Sequence, residues 1–560
     1  MADHRTDVLP ERDDVTEGWL AGPSLIAIQA LIVVAAIAHI LTVGYIADDG
    51  FISFRYARHL LEGDGVVYNV GERVEGYTNF LWVVLLAGVG WALPEVGIPE
   101  IARVAGTTAA VAVILLAYRL STILSLGPSV GLLAGAFLAA HASTVAWAHS
   151  GLETTLFTML VFAAAVQYES GIRRHRIGLG VPALLALAAL TRPDGVLLFA
   201  AFVALCVFDF APRPFSRRSL PGLVREVARF SAMFAAIYLP YFVWRYTYYG
   251  DLFPNTAYAK VDFDLSQLAR GGRYVWVYAR DYGVLAWIVP VCLFLFRERS
   301  AWSWRFAWLV AVTLTYVTCI GGDGLAFHRF IVPAAPMMYI IVAAALLFGY
   351  RRYLAPIEPR LARGAISAAT VAGLLAFTAQ ATLLPILAPN RVRWFEPQSG
   401  LTFPGNGLEH NYVWFDNYFV DRLTIAARYL DDHAPAGSLI ASTPAGAIGY
   451  YMDHSVLDML GLTDRHIARV EAVDSPFRRA GHEKGDGDYV LSRSPDFILM
   501  GNVAVLPEPL DRKAMGSKLV LKSEHDLWSN PEFHERYELI NVQVSNERLF
   551  RYFSFFRRRQ

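Results

Sequence analysis

Two aspartates, Asp48 and Asp49, stand side by side just after the apolar segment Pro23–Tyr45, at the start of the stretch IADDGFISFRYARHLLEGDGVVYNVGERVEGYTNFLW that runs from Ile46 to Trp82. Ionisable residues kept at a bilayer boundary are expensive, and their default reading is functional. Partial loss of water raises a carboxyl's pKa and makes it a better general base for a hydroxyl. A helix beginning near Phe51 needs one aspartate as an N-cap, so capping accounts for one of the pair and leaves the other.

Further along the same stretch, Glu75 and Asn79 are candidates to contact a sugar, with Glu72 open between that role and a surface charge. FISFRYARHLLEG places Phe51, Phe54, Ala57, Leu60 and Leu61 on one side of a helix, with Arg55, Arg58, His59 and Glu62 on the other. That helix is expected to lie in the membrane interface with its aromatic face down. Arg55, on its polar side, joins the substrate-binding candidates. GVVYNVGERVEG is expected to form a small hairpin turning at Asn69 to Gly71.

Three more stretches carry charge next to apolar segments. AHSGLETTLF holds His149 and Glu153, for which capping of the next helix and a site role are both open. LTRPDGVLL holds Arg192 and Asp194, read as a pair that neutralises itself. GDLFPNTAYAK and GGDGLAFHRF hold Lys260, His328 and Arg329, with Asn255, Tyr258 and Asp323 nearby. Arg recognises phosphate well, so Arg329, with His328 and Lys260, is the candidate for a phosphate; snorkelling is the other reading of an interfacial Arg.

The elements that must position these residues are membrane helices. Of the 560 residues, 55% are hydrophobic and 18% charged, and the mean hydropathy is +0.37, too apolar for an ordinary water-soluble enzyme. Apolar stretches near the ~20 residues that cross a bilayer recur from Leu25 to Leu387. The expected plan is a cytoplasmic tail (1–22), a polytopic all-α membrane domain (23–388) with its first external loop at 46–78, and an external α/β domain (389–560). The first apolar segment has no small-residue cleavage site before Asp48 and reads as a retained helix.

Arginine clusters at 173–176, 213–225, 297–305 and 351–363 mark the cytoplasmic connections, which places the Asp48 loop and the C-terminal domain outside. Between that loop and Arg173 four apolar segments appear where parity demands an odd number of crossings, so one is expected to be re-entrant or not to span. The runs flanking Thr191–Gly195 are short enough to form a hairpin of half-helices. Ten to twelve crossings are expected, the last at Ala365–Leu387.

Zero net charge argues against a nucleic-acid partner. Cys206, Cys292 and Cys319 lie in apolar segments without metal-ligand spacing, which argues against disulfides and zinc. Any metal is open: the aspartate pair with Glu75 is a possible oxygen-ligand site for Mg²⁺ or Ca²⁺. The C-terminal part alternates apolar strands with helical stretches (SLIAST, AGAIGYYM, SVLDMLGLTD, PDFILMGN, ELINVQVSNERLFRYF) and has no phosphate-loop pattern; Asp458 and Asp464 are open between a plain structural loop, the favoured reading, and a place facing the membrane site where they help choose the acceptor.

A first helix ending in Asp-Asp, a helix in the first external loop, many crossings and an external C-terminal domain resemble the GT-C fold of polyprenyl-phosphate-sugar-dependent glycosyltransferases. Ile46 to Trp82 is similar to the group containing the terminal β-1,2-arabinofuranosyltransferases of mycobacterial and corynebacterial cell-wall assembly. The likeness in organisation covers about the first 350 residues, and the C-terminal part departs from it. The resemblance implies that Asp49 and Asp48 are the catalytic acidic motif, with Asp49 as base. It implies a multi-pass protein of the bacterial plasma membrane that takes a sugar, arabinofuranose first, from a polyprenyl-phosphate donor and inverts it onto a cell-envelope glycan or glycolipid. A polyprenyl phosphate leaves as a stable anion, so one carboxylate suffices, unlike the two of a glycosidase. A transporter or flippase, which would want polar residues at the bilayer midplane, and a non-catalytic envelope glycan assembly protein are the rival readings.

Overall fold

The computed structural model describes residues 22–354, 412–471, 484–545 and 551–559, apart from gaps at 175, 211–219, 261–264, 283, 299, 326, 501–504, 517–518 and 520. The expected tail (1–22) and last crossing (Ala365–Leu387) lie outside the described residues, save Gly22. The first part is helical: α1 (Pro23–Val43), α2 (Asp48–Glu62), α3 (Phe80–Ala92), α4 (Ile98–Ile123), α5 (Pro128–Ala140), α6 (Ala142–His149), α7 (Thr154–Arg173), α8 (Gly180–Thr191), α9 (Asp194–Phe210), α10 (Leu220–Tyr249), α11 (Asn255–Lys260), α12 (Leu265–Asp281), α13 (Val284–Glu298), α14 (Ala301–Cys319) and α15 (Ala335–Gly349).

Among the described residues five helical spans are long and apolar enough to cross a membrane: α1, α4, α7, α10 and Val332–Arg352. A sixth forms if α5 and α6, bent by 62° at their break, are one broken span. Other apolar segments among the described residues make shorter helices, Phe80–Ala92 and Gly180–Thr191. α3 has 13 residues and so rises only about 20 Å, against a hydrocarbon core of about 30 Å. α3 and the broken α5–α6 pair are the irregular elements in the stretch where parity failed. α8 and α9 form the expected short hairpin about Thr191–Asp194.

Arg173 closes α7, Arg297 lies in the last turn of α13, and Arg351 and Arg352 follow α15. These basic residues stand at one end, whereas α1 delivers Asp48, α7 begins beside Glu153 and α14 runs toward Asp323 at the other.

The C-terminal domain sits on that second end. Its strands are β1 (Leu439–Ser442), β2 (Ser455–Asp458), β3 (Phe497–Leu499), β4 (Val505–Leu506), β5 (Tyr537–Gln543) and β6 (Tyr552–Arg558). β1 lies parallel to both β2 and β3, while β6 runs antiparallel to β3, β4 and β5. AGAIGYYM, in the alternating stretch, contains the one-turn helix Ala447–Tyr450.

The loop helix α2 departs from its expected interfacial position. Phe51, Phe54, Tyr56 and Ala57 are fully buried in protein, in one core with Leu423, Ala427 and Leu430 of the helix Tyr412–His433 and with Ile448. An amphipathic period announces an apolar face, and the tertiary structure decides whether lipid or protein covers it. The expected hairpin is a turn without strands: Glu72 N–H bonds to Asn69 C=O at 3.1 Å. Neighbouring backbone groups there are satisfied by side chains, as Tyr56 Oη donates to Val74 C=O and accepts from Gly76 N–H.

Candidate active site

The two aspartates at the head of α2 have different surroundings. The Asp48 carboxylate does not cap its own helix, whose N-cap is Ala47. Its oxygens accept from the backbone N–H groups of Ala447 (2.7 Å) and Gly446 (3.2 Å) in the C-terminal domain. A Cβ at position 446 would collide with the Asp48 carbonyl, so this approach requires glycine. Asp48 therefore joins the loop to the C-terminal domain. Asp49 keeps 34% of its side chain exposed, with Oδ2 3.7 Å from Arg329 Nη1.

Arg329 is itself anchored. Its Nε pairs with Asp323, and Nη2 donates to Asp323 Oδ1 at 3.2 Å. Its guanidinium also lies 5.0 Å from the centre of the Phe330 ring, and that of Arg192 lies 4.7 Å from the same ring. Arg192 binds Asp194 (3.0 Å) as expected and also approaches Glu153 Oε1 (3.6 Å). Glu153 Oε2 accepts from Asn79 Nδ2 at 2.7 Å, and Asn79 Oδ1 accepts from Ser53 Oγ of α2 at 3.1 Å. The turn carrying Glu153 is held against the same helix, since Ala47 N–H bonds to Ser150 C=O at 3.1 Å. Asp49, Arg329, Arg192, Glu153 and Asn79 thus belong to one polar cluster beneath the C-terminal domain.

Glu75 is buried beside Arg245 of α10, whose Nε lies 2.7 Å from Oε2, and Tyr241 Oη is 3.5 Å from Oε1. Burial pushes the Glu75 carboxyl up to about 7 in spite of the arginine. A divalent cation shared by Glu75 and the aspartates is not favoured by this arrangement, because Glu75 faces Arg245 and Asp48 faces backbone N–H groups. Among the described residues no three His, Cys, Asp or Glu side chains are grouped to hold a metal ion.

The remaining candidates take other positions. Arg55 is buried and donates to the carbonyls of Tyr68 (2.6 Å), His454 (2.9 Å) and Gly449, which makes it a second clamp on the C-terminal domain rather than a substrate contact. His328 is corrected as well: it is buried against the rings of Tyr274, Tyr278 and Tyr282, with both ring nitrogens lacking a hydrogen-bond partner among the described residues. Burial lowers its pKa to about 3, so it stays neutral and offers a phosphate no charge. His149 closes α6 half-buried, its Nδ1 without a hydrogen-bond partner among the described residues. The Lys260 side chain lies outside the described residues. Asn255 ties α11 to the carbonyls of Gly461, Leu462 and Asp464. Asp458 and Asp464 serve their own loop, accepting from Thr463 and Ile467 N–H groups.

Sequence reasoning missed Arg245, Tyr241, Ser53 and Phe330, and did not single out Asp323. One signal existed: Arg245 stands in an otherwise apolar stretch of α10, where a lone cation asks for a carboxylate.

Residues 416–556 match the model of a family described as a domain of unknown function (DUF8728). The chain is 32% identical over 275 residues to the terminal β-(1→2)-arabinofuranosyltransferase of Mycobacterium tuberculosis, covering 46% of this chain and 41% of that protein. Over 38 residues it is 55% identical to the protein of the same description from Corynebacterium glutamicum, 7% of this chain and 6% of that one. These matches span less than half the length of the curated relatives. Among solved structures, ArnT from Cupriavidus metallidurans bound to undecaprenyl phosphate aligns over 97% of this chain and 98% of its own, with 12% identity and a TM-score of 0.57. The Archaeoglobus fulgidus oligosaccharyltransferase aligns over 94% and 74%, with 12% identity and a TM-score of 0.53. The chain is a membrane protein with the GT-C fold of these glycosyltransferases, carrying a C-terminal α/β domain.

Proposed function

We propose that the protein is a membrane glycosyltransferase that transfers a sugar, arabinofuranose first, from a polyprenyl-phosphate donor to a hydroxyl of a cell-envelope glycan or glycolipid. The basic residues at one end of the bundle favour that end as cytoplasmic, so the cluster around Asp49 and the C-terminal domain face outward from a bacterial plasma membrane. The observation that carries the reading is Asp49: a partly exposed carboxylate beside an anchored arginine, in a fold shared with a protein solved with undecaprenyl phosphate. The likeness to the arabinofuranosyltransferases favours the sugar.

In the step proposed, the acceptor oxygen attacks the anomeric carbon as the bond from that carbon to the phosphate oxygen breaks. The hydroxyl proton passes to Asp49 and the electron pair of the broken bond leaves with the polyprenyl phosphate. A single displacement of this kind inverts the anomeric centre. Arg329 orients Asp49 before the donor arrives and meets the charge that develops on the phosphate afterwards. Asp48 holds the C-terminal domain over the loop, and Asn79 and Glu153 lie in the same polar cluster to meet the sugar. A transporter is less favoured, because the described ion pairs of the bundle stand at helix ends rather than at the middle of the spans.

The test is transfer of labelled sugar by purified protein in lipid nanodiscs, with a panel of polyprenyl-phosphoryl sugars and with arabinan and mannan acceptors. Transfer is expected from an arabinofuranosyl donor, falling by about 10²–10⁴-fold in Asp49→Asn, as for loss of a general base. Absence of both transfer and binding for every donor would overturn the reading.

A further inference from the structure

Away from the Asp49 cluster, a cavity of about 710 Å³ opens where the first loop meets the C-terminal domain. It is lined by Glu72 and Arg73 of the loop and, from the domain, by Arg465, His466, Asp486 and Tyr489, with Arg469, Asp464 and Arg493 completing the wall. That volume falls within the ~300–1,000 Å³ of small-ligand sites. The loop residues lie directly before Glu75, so a ligand held here contacts the segment that continues into the candidate active site.

The chemistry of the wall selects among ligands. Arg465 and Arg469 both pair with Asp251, at 3.0 and 2.7 Å, and Arg493 approaches Glu72 at 3.7 Å. Three of the four arginines are thus already paired, with Asp251 and Glu72, while Asp464 and Asp486 accept from Ile467, Tyr489 and His466. An anion at Arg465, Arg469 or Arg493 would have to displace these carboxylates. A neutral molecule with many hydroxyls needs no such exchange, since each hydroxyl can give to a carboxylate and take from a guanidinium. Surface pairs of this kind are weak and rearrange readily around such a ligand. His466 adds a flat surface. Its ring stacks on Tyr489 with centroids 4.0 Å apart, Nε2 is 2.8 Å from Asp486 Oδ2, and 49% of the side chain remains exposed. Arg73 has no carboxylate partner among the described residues and lies over the Tyr248 ring at 4.6 Å.

We infer that this cavity is a second carbohydrate site, which holds a neutral oligosaccharide segment of the acceptor several sugars away from the hydroxyl that reacts. This rests on the glycosyltransferase reading for the identity of the ligand as acceptor, but the binding itself does not need the donor.

The test is direct binding of a linear arabinofuranosyl hexasaccharide to the full chain in nanodiscs, by titration calorimetry without donor, alongside the acceptor KM. His466→Ala and Arg73→Ala are expected to weaken hexasaccharide binding about tenfold and to raise the acceptor KM similarly, with kcat and donor KM unchanged. Asp49→Asn is expected to bind the hexasaccharide like the wild type. Equal binding by wild type and both variants, no binding by the wild type, or displacement of the sugar by millimolar inorganic phosphate would each overturn the inference. Binding that depends on His466 in a protein that transfers nothing from any donor would sustain the site and count against the proposed activity.

Discussion

Helices α7, α9 and α14 reach two knots of arginine and carboxylate, one at either end, and the two are built differently. At the basic end Arg305 of α14 meets Glu169 of α7 through two bonds of 2.6 Å, and Asp209 of α9 at 3.3 Å. Tyr168 closes the set by donating to Asp209 at 2.8 Å. At the other end, with Arg305 and Cys319 about 21 Å apart along α14, the knot is open. Glu153, Arg192 and Asp194 are buried, Arg329 is held by Asp323, and Asp49 stands at the edge, partly in solvent and 3.7 Å from the arginine. A closed knot locks helices together and has no room for another molecule. An open one holds a charged group in place while leaving it able to react.

The contrast can be broken at either knot. The largest effect is expected at the closed one: Arg305→Ala leaves Glu169 and Asp209 buried without their cation and costs about 3–5 kcal/mol. It should appear as a large fall in the thermal midpoint in nanodiscs, with whatever transfer survives tracking the folded fraction. An unchanged midpoint would show that the closed knot does not hold the bundle.

The adjacent aspartates should separate next. Asp48→Ala strands two backbone N–H groups at the domain seam and is expected to lose about 1–3 kcal/mol of stability while keeping part of the transfer. Asp49→Ala should leave the midpoint within about 0.5 kcal/mol and abolish transfer. Equal loss of stability in both variants would erase the distinction drawn between tie and base.

A pH-dependent effect concerns Glu75, whose carboxyl is pushed by burial up to about 7 when folded, against an ordinary 4.5. Between those values the folded chain keeps a proton that the unfolded chain has lost, so this residue's contribution to stability falls as pH rises through the window. Glu75→Gln mimics the protonated form and should flatten that part of the profile. Wild-type and variant midpoints running parallel from pH 5 to pH 7.5 would contradict it.

Part of the candidate site is legible in the residues. Asp49, Asn79, Glu153 and Arg329 were marked because charged or amide groups beside apolar segments carry a desolvation cost that something must offset, and the structure brings them into one cluster. Arg55 and His328 were marked by the same logic and serve elsewhere, because residue type does not say which neighbours will satisfy a donor. The Arg192–Asp194 pair neutralises itself, as the two residues' closeness in sequence suggests, but its extension to Glu153 depends on helices α7 and α8 lying side by side.

What the sequence alone determined is what local patterns record: a membrane bundle from its hydropathy, an α/β domain from its alternation, an amphipathic α2, and carboxylates at a membrane boundary. Tertiary structure decided what covers each surface. α2 is sheathed by the C-terminal domain instead of lipid, Asp48 is tied to Gly446 and Ala447 nearly 400 residues away, and Asp49 is left at the open edge. Two identical neighbours differ because adjacent residues on a helix point about 100° apart, and only the fold determines what each direction meets.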